Sequence, residues 1–190
     1  MKNKYIIGSL IVAGSFLNSS KKNIKESNQK RHKPVIADEN NLTKNNPYLI
    51  NKPEISLALY GSLNGKKNYY KIESDEDFNL YIGILTPRLD EEKEPKTKVY
   101  FKFYDENFKE ITFNDFPTGV VKDHIWTEWF EPFGRNNYWV GPQVGTNLNV
   151  PYGKYPKGTY YIEVFNPKNE GNYSLAVGYI EDFGFFDILK

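Results

Sequence analysis

Cysteine is absent from all 190 residues, which excludes disulfides, thiolate metal sites, a cysteine nucleophile and thioether lipidation together. A charge of one sign is lacking too. The 25 Lys and Arg nearly cancel the 24 Asp and Glu, so no overall field exists to hold a polyanion, and nucleic acid is not expected as a partner. The apolar run from Tyr5 to Leu17 is shorter than the ~20 residues a membrane-spanning helix needs. Missing as well are a sustained helical apolar period, internal repeats, a Gly-x-Ser-x-Gly elbow and a His-Glu-x-x-His signature. These absences remove α/β and solenoid folds, the usual serine hydrolases and the zincins.

What is present leans towards β structure. Aromatics form 16% of the chain, with 15 Tyr and 13 Phe against a single Met, and such side chains suit pleated, half-buried surfaces better than helices. The length suits one core with a tail. Met1, Lys2, Asn3 and Lys4 precede the apolar run, and polar Asn18, Ser19 and Ser20 follow it, the layout of an export signal or an uncleaved anchor over residues 1–20. Ala13, Gly14 and Ser15 offer small residues for cleavage, while Ser15 stands where a lipoprotein box needs cysteine, so lipidation there is excluded. The chain is therefore expected to be exported: periplasmic, extracellular or membrane-tethered, meeting a membrane only through this segment. Residues 21–46 are rich in Lys, Asn, Glu and Gln and read as a disordered polar linker. Its basic cluster Lys30-Arg31-His32-Lys33 reads as solvated.

From residue 47 the rhythm becomes that of strands. Ile55, Leu57 and Leu59 alternate with polar or small residues, Asn64-Gly65 signals a hairpin, and Tyr69 to Glu73 is expected to pair back. Phe78 to Leu85 reads as the longest central strand, with Phe78, Leu80, Ile82 and Ile84 on one face; Val99, Phe101 and Phe103 alternate next, then a short strand at Ile111 to Phe113. Thr159 to Phe165 and Tyr173 to Tyr179 repeat the pattern. Short strands without interleaved helices predict an all-β, antiparallel, jelly-roll-like sandwich of about eight strands over residues 47–190. The apolar end from Gly184 to Lys190 is too short to span a membrane and would pack on the sandwich or on a partner.

The stretch Gly158-Thr159-Tyr160-Tyr161-Ile162-Glu163-Val164-Phe165, a polar loop and Gly171-Asn172-Tyr173-Ser174-Leu175-Ala176-Val177-Gly178 resembles the closing hairpin of bacterial pre-peptidase C-terminal domains, which are small extracellular β-sandwiches. Asn68 to Ile72 and Leu80 to Leu85 fall in the order such a domain would use. The insertion from Val120 to Tyr152 departs from it. It is similar to a group of uncharacterised exported bacterial proteins with a Trp-Phe-Glu-Pro-Phe-Gly-like stretch, a resemblance that implies location and fold but no activity.

That insertion holds all three tryptophans, Trp126, Trp129 and Trp139, with Tyr138, Arg135, Glu128, Glu131 and the only histidine beyond the linker, His124. Trp and Tyr faces stack on sugar rings or anchor a protein partner, so these residues are the candidate ligand site, for a glycan or an envelope protein. The plainer account has the rings capping the sandwich, with Arg135 paired to Glu128 or Glu131. A carbohydrate-active enzyme would need Glu128 and Glu131 in one cavity, whereas a strand sends them to opposite faces. No catalytic residue and no cofactor is therefore assigned, and His124 lacks a zinc-binding partner at useful spacing. Glu73, Asp75, Glu76 and Asp77 crowd one turn and would suit calcium, but their spacing is not that of an EF-hand, and a solvated turn is the preferred reading.

Overall fold

In a computed structural model, residues 33–37, 39–89, 92–112, 124–132, 134–145 and 152–180 are described. The expected export segment, the linker before residue 33, Phe113 and the apolar C-terminal end lie outside them. The described residues form thirteen strands and one 3-10 turn, Glu39–Asn41. In chain order the strands are β1 (Lys33–Ile36), β2 (Tyr48–Ile50), β3 (Leu57–Asn64), β4 (Asn68–Ser74), β5 (Phe78–Leu80), β6 (Ile82–Pro87) and β7 (Tyr100–Tyr104). Then come β8 (Glu110–Ile111), β9 (Thr127–Glu131), β10 (Asn136–Val144), β11 (Tyr152–Tyr155), β12 (Gly158–Phe165) and β13 (Glu170–Val177).

Two sheets pack face to face. One has six strands in the order β1-β3-β13-β6-β10-β9, the other five in the order β2-β4-β12-β7-β8. From β3 to β4, β6, β7, β10, β12 and β13 the chain passes between the sheets almost at every step, the winding of a double-sheet jelly roll. The strand count is a correction, thirteen against about eight. The extra strands are short edge and ribbon pieces, and two of them break the antiparallel rule, because β1 joins β3 and β2 joins β4 in parallel. The first of these also moves the ordered boundary. Lys33 to Ile36 lies within the stretch read as linker, and its backbone pairs with Leu57 to Tyr60, a contact that local composition does not encode.

Both expected hairpins are corners instead. β3 and β4 flank Asn64-Gly65 but belong to different sheets, as do β12 and β13. Each of these strands has one mostly buried face, and crossing between sheets lets Leu59 and Leu63 look across the core at Tyr70 and Ile72 rather than lie beside them. The two corners touch: the Gly65 N–H donates to the Asn169 carbonyl at 2.8 Å, with Gly65 at φ 79° and Asn169 at φ 51°. The Asn166 side chain holds the second corner, accepting from the Lys168 and Glu170 N–H groups at 3.1 and 3.2 Å and donating to the Glu170 carbonyl at 2.7 Å.

The expected strand from Phe78 to Leu85 is broken at Tyr81. β5 pairs with β11 in a two-stranded ribbon, whereas β6 enters the six-stranded sheet. Its face is as read: Phe78, Leu80, Ile82 and Ile84 are all buried. They join Leu59, Ile72, Phe101, Phe103, Ile162, Val164 and Leu175 in one core, each such side chain stabilising the fold by about 1.5–3 kcal/mol through apolar burial. Phe103 stacks on Tyr160 at 5.4 Å, and Phe78 meets the same ring edge-on at 5.6 Å. One buried polar tie crosses the core: the Tyr173 hydroxyl on β13 accepts from Asn68 Nδ2 and shares a hydrogen bond with the Tyr70 hydroxyl, both on β4 and both at 2.8 Å.

Candidate functional site

Within the aromatic insertion, β9 and β10 form the end of the six-stranded sheet. β9 and β10 pair antiparallel, with Thr127 opposite Val140, Glu128 opposite Trp139, Trp129 opposite Tyr138 and Glu131 opposite Asn136. The turn between them holds because the Glu131 carboxylate accepts the Gly134 N–H at 2.5 Å and Arg135 takes the left-handed conformation at φ 54°. On its other side β10 pairs with β6, and the register shifts between Val140 and Gln143. Gly141 and Pro142 therefore form a bulge opposite Ile84, a position that tolerates proline's missing N–H.

This register separates the three tryptophans. Trp139 points inward beside Thr86 and is 3% exposed. The Arg88 guanidinium lies 5.4 Å from its ring centre, and its Nε1 donates to Glu92 Oε2 at 3.4 Å. Trp126 packs partly buried against the core, on Gly141 and edge-on to Tyr100 at 6.3 Å. With Gly141 at β10 and Tyr100 on β7, it plugs the open side of the sandwich between the two sheets. Trp129 alone faces outward, 37% exposed and 6.0 Å from the Tyr138 ring at a tilt of 31°. Tyr138 itself is buried, and burial, with Tyr60 beside it, pushes its hydroxyl far above the usual range. Among the described residues of the insertion, Trp139 and Tyr138 are thus buried while Trp129 is exposed.

Glu128 and Glu131 lie three residues apart on a strand and project to opposite faces. Glu128 pairs with Arg88 Nη2 at 3.1 Å, so Arg88 rather than Arg135 is the cation beside it. Arg135 is exposed in the turn. His124 lies edge-on to Trp126 at 5.7 Å. Burial lowers its pKa, against the opposing pull of hydrogen bonds to the Val140 and Gly141 backbone. In the acidic turn, Asp77 accepts the Lys157 N–H at 3.0 Å, Glu73 pairs with Lys71, and the Glu76 carbonyl accepts from Ser74 Oγ at 2.6 Å. Among the described residues, no three of His, Asp and Glu gather where they could hold a metal ion.

Sequence reasoning missed Arg88 and Glu92. Glu92 is buried, accepts the Leu89 N–H at 3.1 Å and meets Lys96 Nζ at 3.2 Å, so it pins the charged loop after β6 onto Trp139. In the sequence these residues sit in a charged, proline-containing stretch that carries only a loop signal. No family model matches the chain, and no curated protein matches it.

Proposed function

We propose that this chain is an exported, non-catalytic module that captures an extended segment of a partner protein by strand addition along β9. The carrying observation is the contrast among the outer strands of the two sheets. β1 carries Pro34 and begins at Lys33, β2 has three residues and β8 has two, and short strands, Lys and Pro are the devices that blunt an edge against pairing. β9 has five residues, Thr127-Glu128-Trp129-Phe130-Glu131, with neither Lys nor Pro inside it. It presents Trp129 at 37% exposure and Phe130 at 52% on opposite faces, with Ile125 at 80% just ahead. An added strand would gain main-chain hydrogen bonds and an aromatic anchor on each side.

Selection of a displayed random-peptide library on the full-length chain tests this. The expected peptides carry apolar residues at alternate positions and lose about tenfold or more in affinity to Trp129→Ala or Phe130→Ala. Peptides indifferent to both substitutions would refute strand addition. A saturable tryptophan shift with a wall glycan, abolished by Trp129→Ala, would refute it too and reassign the edge to a glycan.

A further inference from the structure

The two corners that carry the chain between the sheets meet at a hydrogen bond from the Gly65 N–H to the Asn169 carbonyl, at 2.8 Å. Asn64-Gly65 is also the single Asn-Gly pair in the sequence. Both residues are exposed, and apart from the chain neighbours no atom lies within 4 Å of the place a Gly65 Cβ would occupy. A glycine nitrogen is the least hindered nucleophile the backbone offers, since no side chain crowds it. Here that nitrogen follows a side-chain amide directly, stands in open space, and has its N–H committed to the other corner. Asn64 ends β3, and its partner across the strand pair is Glu170 on β13. Glu170 is in turn held by Asn166, whose Oδ1 accepts its N–H at 3.2 Å and whose Nδ2 donates to its carbonyl at 2.7 Å.

We propose that Asn64 is a spontaneous deamidation site whose rate is set by the contact between the corners. The Gly65 nitrogen bonds to the Asn64 side-chain carbonyl carbon, the bond from that carbon to Nδ2 breaks, and the Gly65 proton ends on the departing ammonia. Water then adds to either carbonyl of the five-membered ring, giving aspartate or isoaspartate. While the Gly65 N–H donates to Asn169, its proton is held and its peptide plane is fixed, so ring closure waits for the corners to part. The product keeps them parted. Aspartate sets a carboxylate opposite Glu170, and like charges directly opposite across a strand pair repel. Isoaspartate lengthens the backbone by one methylene and carries the Gly65 N–H away from its acceptor. The site does not rest on strand addition, since β9 lies at the edge of the same sheet with β13, β6 and β10 between it and β3.

The test incubates the full-length chain in neutral buffer and in concentrated urea, then maps peptides by chromatography and mass spectrometry that separate aspartate from isoaspartate. In urea, residue 64 should convert faster than any other asparagine; in buffer it should convert about tenfold more slowly or less, with the Gly65 amide protected from hydrogen exchange by a similar factor. Asn166→Ala loosens the second corner without touching Asn64 or Gly65, so it should speed conversion severalfold while circular dichroism shows the chain still folded. The comparison of buffer with urea, and the exchange of the Gly65 amide, need no variant. Asn64→Asp should lower the melting temperature at neutral pH, and adding Glu170→Gln should restore part of the loss. The inference is overturned if residue 64 stays unconverted in urea, if the folded chain converts as fast as the unfolded one, if the Gly65 amide exchanges without protection, if a folded Asn166→Ala chain converts at the parent rate, or if Asn64→Asp melts as the parent does.

Discussion

Removing one oxygen from the tie between the sheets, by Tyr173→Phe, should destabilise the sandwich measurably. The Tyr173 hydroxyl is bonded to Asn68 Nδ2 and to the Tyr70 hydroxyl, both at 2.8 Å, and all three residues are essentially inaccessible to water. After the substitution Asn68 keeps its bond to the Ser62 carbonyl at 2.8 Å, but the Tyr70 hydroxyl is left buried and unpaired. An orphaned buried polar group costs about 1–3 kcal/mol. At about 2–4 °C per kcal/mol for a domain of this size, the melting temperature should fall by about 2–12 °C. The double variant Tyr70→Phe with Tyr173→Phe removes both partners, so its loss should be smaller than the sum of the single losses by more than about 0.5 kcal/mol. Burial pushes the Tyr173 hydroxyl up to about 12 and that of Tyr70 well above 10. Both stay protonated at ordinary pH, and stability linked to a raised tyrosine pKa is lost only as pH rises past the unfolded value of about 10. The deficit should therefore be the same at about pH 6 and about pH 8. Calorimetry on the single and double variants decides the matter: a single-variant loss under about 0.5 kcal/mol, or strict additivity, would refute the tie.

Two further outcomes follow from neighbouring geometry. In Gly61→Ala the new methyl would sit 2.5 Å from Tyr173 Oη and 2.7 Å from Cζ, so urea denaturation should show a loss of about 1–3 kcal/mol, and adding Tyr173→Phe should not rescue it because Cζ remains. Burial pushes the Glu92 carboxyl up, but bonds from the Leu89 N–H, Lys96 and Trp139 outweigh it and hold it below its usual 4.5. A depressed carboxylate contributes stability above its unfolded pKa and loses it as pH falls through the folded one. Tryptophan emission should therefore shift as acidification below 4.5 frees the loop from Trp139, and Glu92→Gln should abolish that acid step.

Legibility divided along the range of the forces involved. The alternating face of Phe78, Leu80, Ile82 and Ile84 was readable because a strand's burial pattern is written in its own residues, and all four are buried. The opposed directions of Glu128 and Glu131 followed from the same period. The corners at Asn64-Gly65 and at Asn166 to Glu170 were not readable, because a turn and two amphipathic strands look alike whether the strands pair side by side or face each other across a core. β1 escaped because its apolar residues are few and its order comes from pairing with Leu57 to Tyr60.

The candidate site shows the same division. Its residue types were evident from the clustering of Trp126, Trp129 and Trp139 with Tyr138, but not their separate fates, with one plugging the gap between sheets, one beneath Arg88 and one outward on β9. Composition and periodicity alone determined the all-β class and the positions of most strands, since each depends on neighbours in the chain. Only the tertiary structure decided which sheet each strand joins, which outer strand is left without Lys or Pro and what each tryptophan packs against, because those depend on residues such as Arg88, Glu92 and Thr86 that meet the insertion only after the sheets have formed.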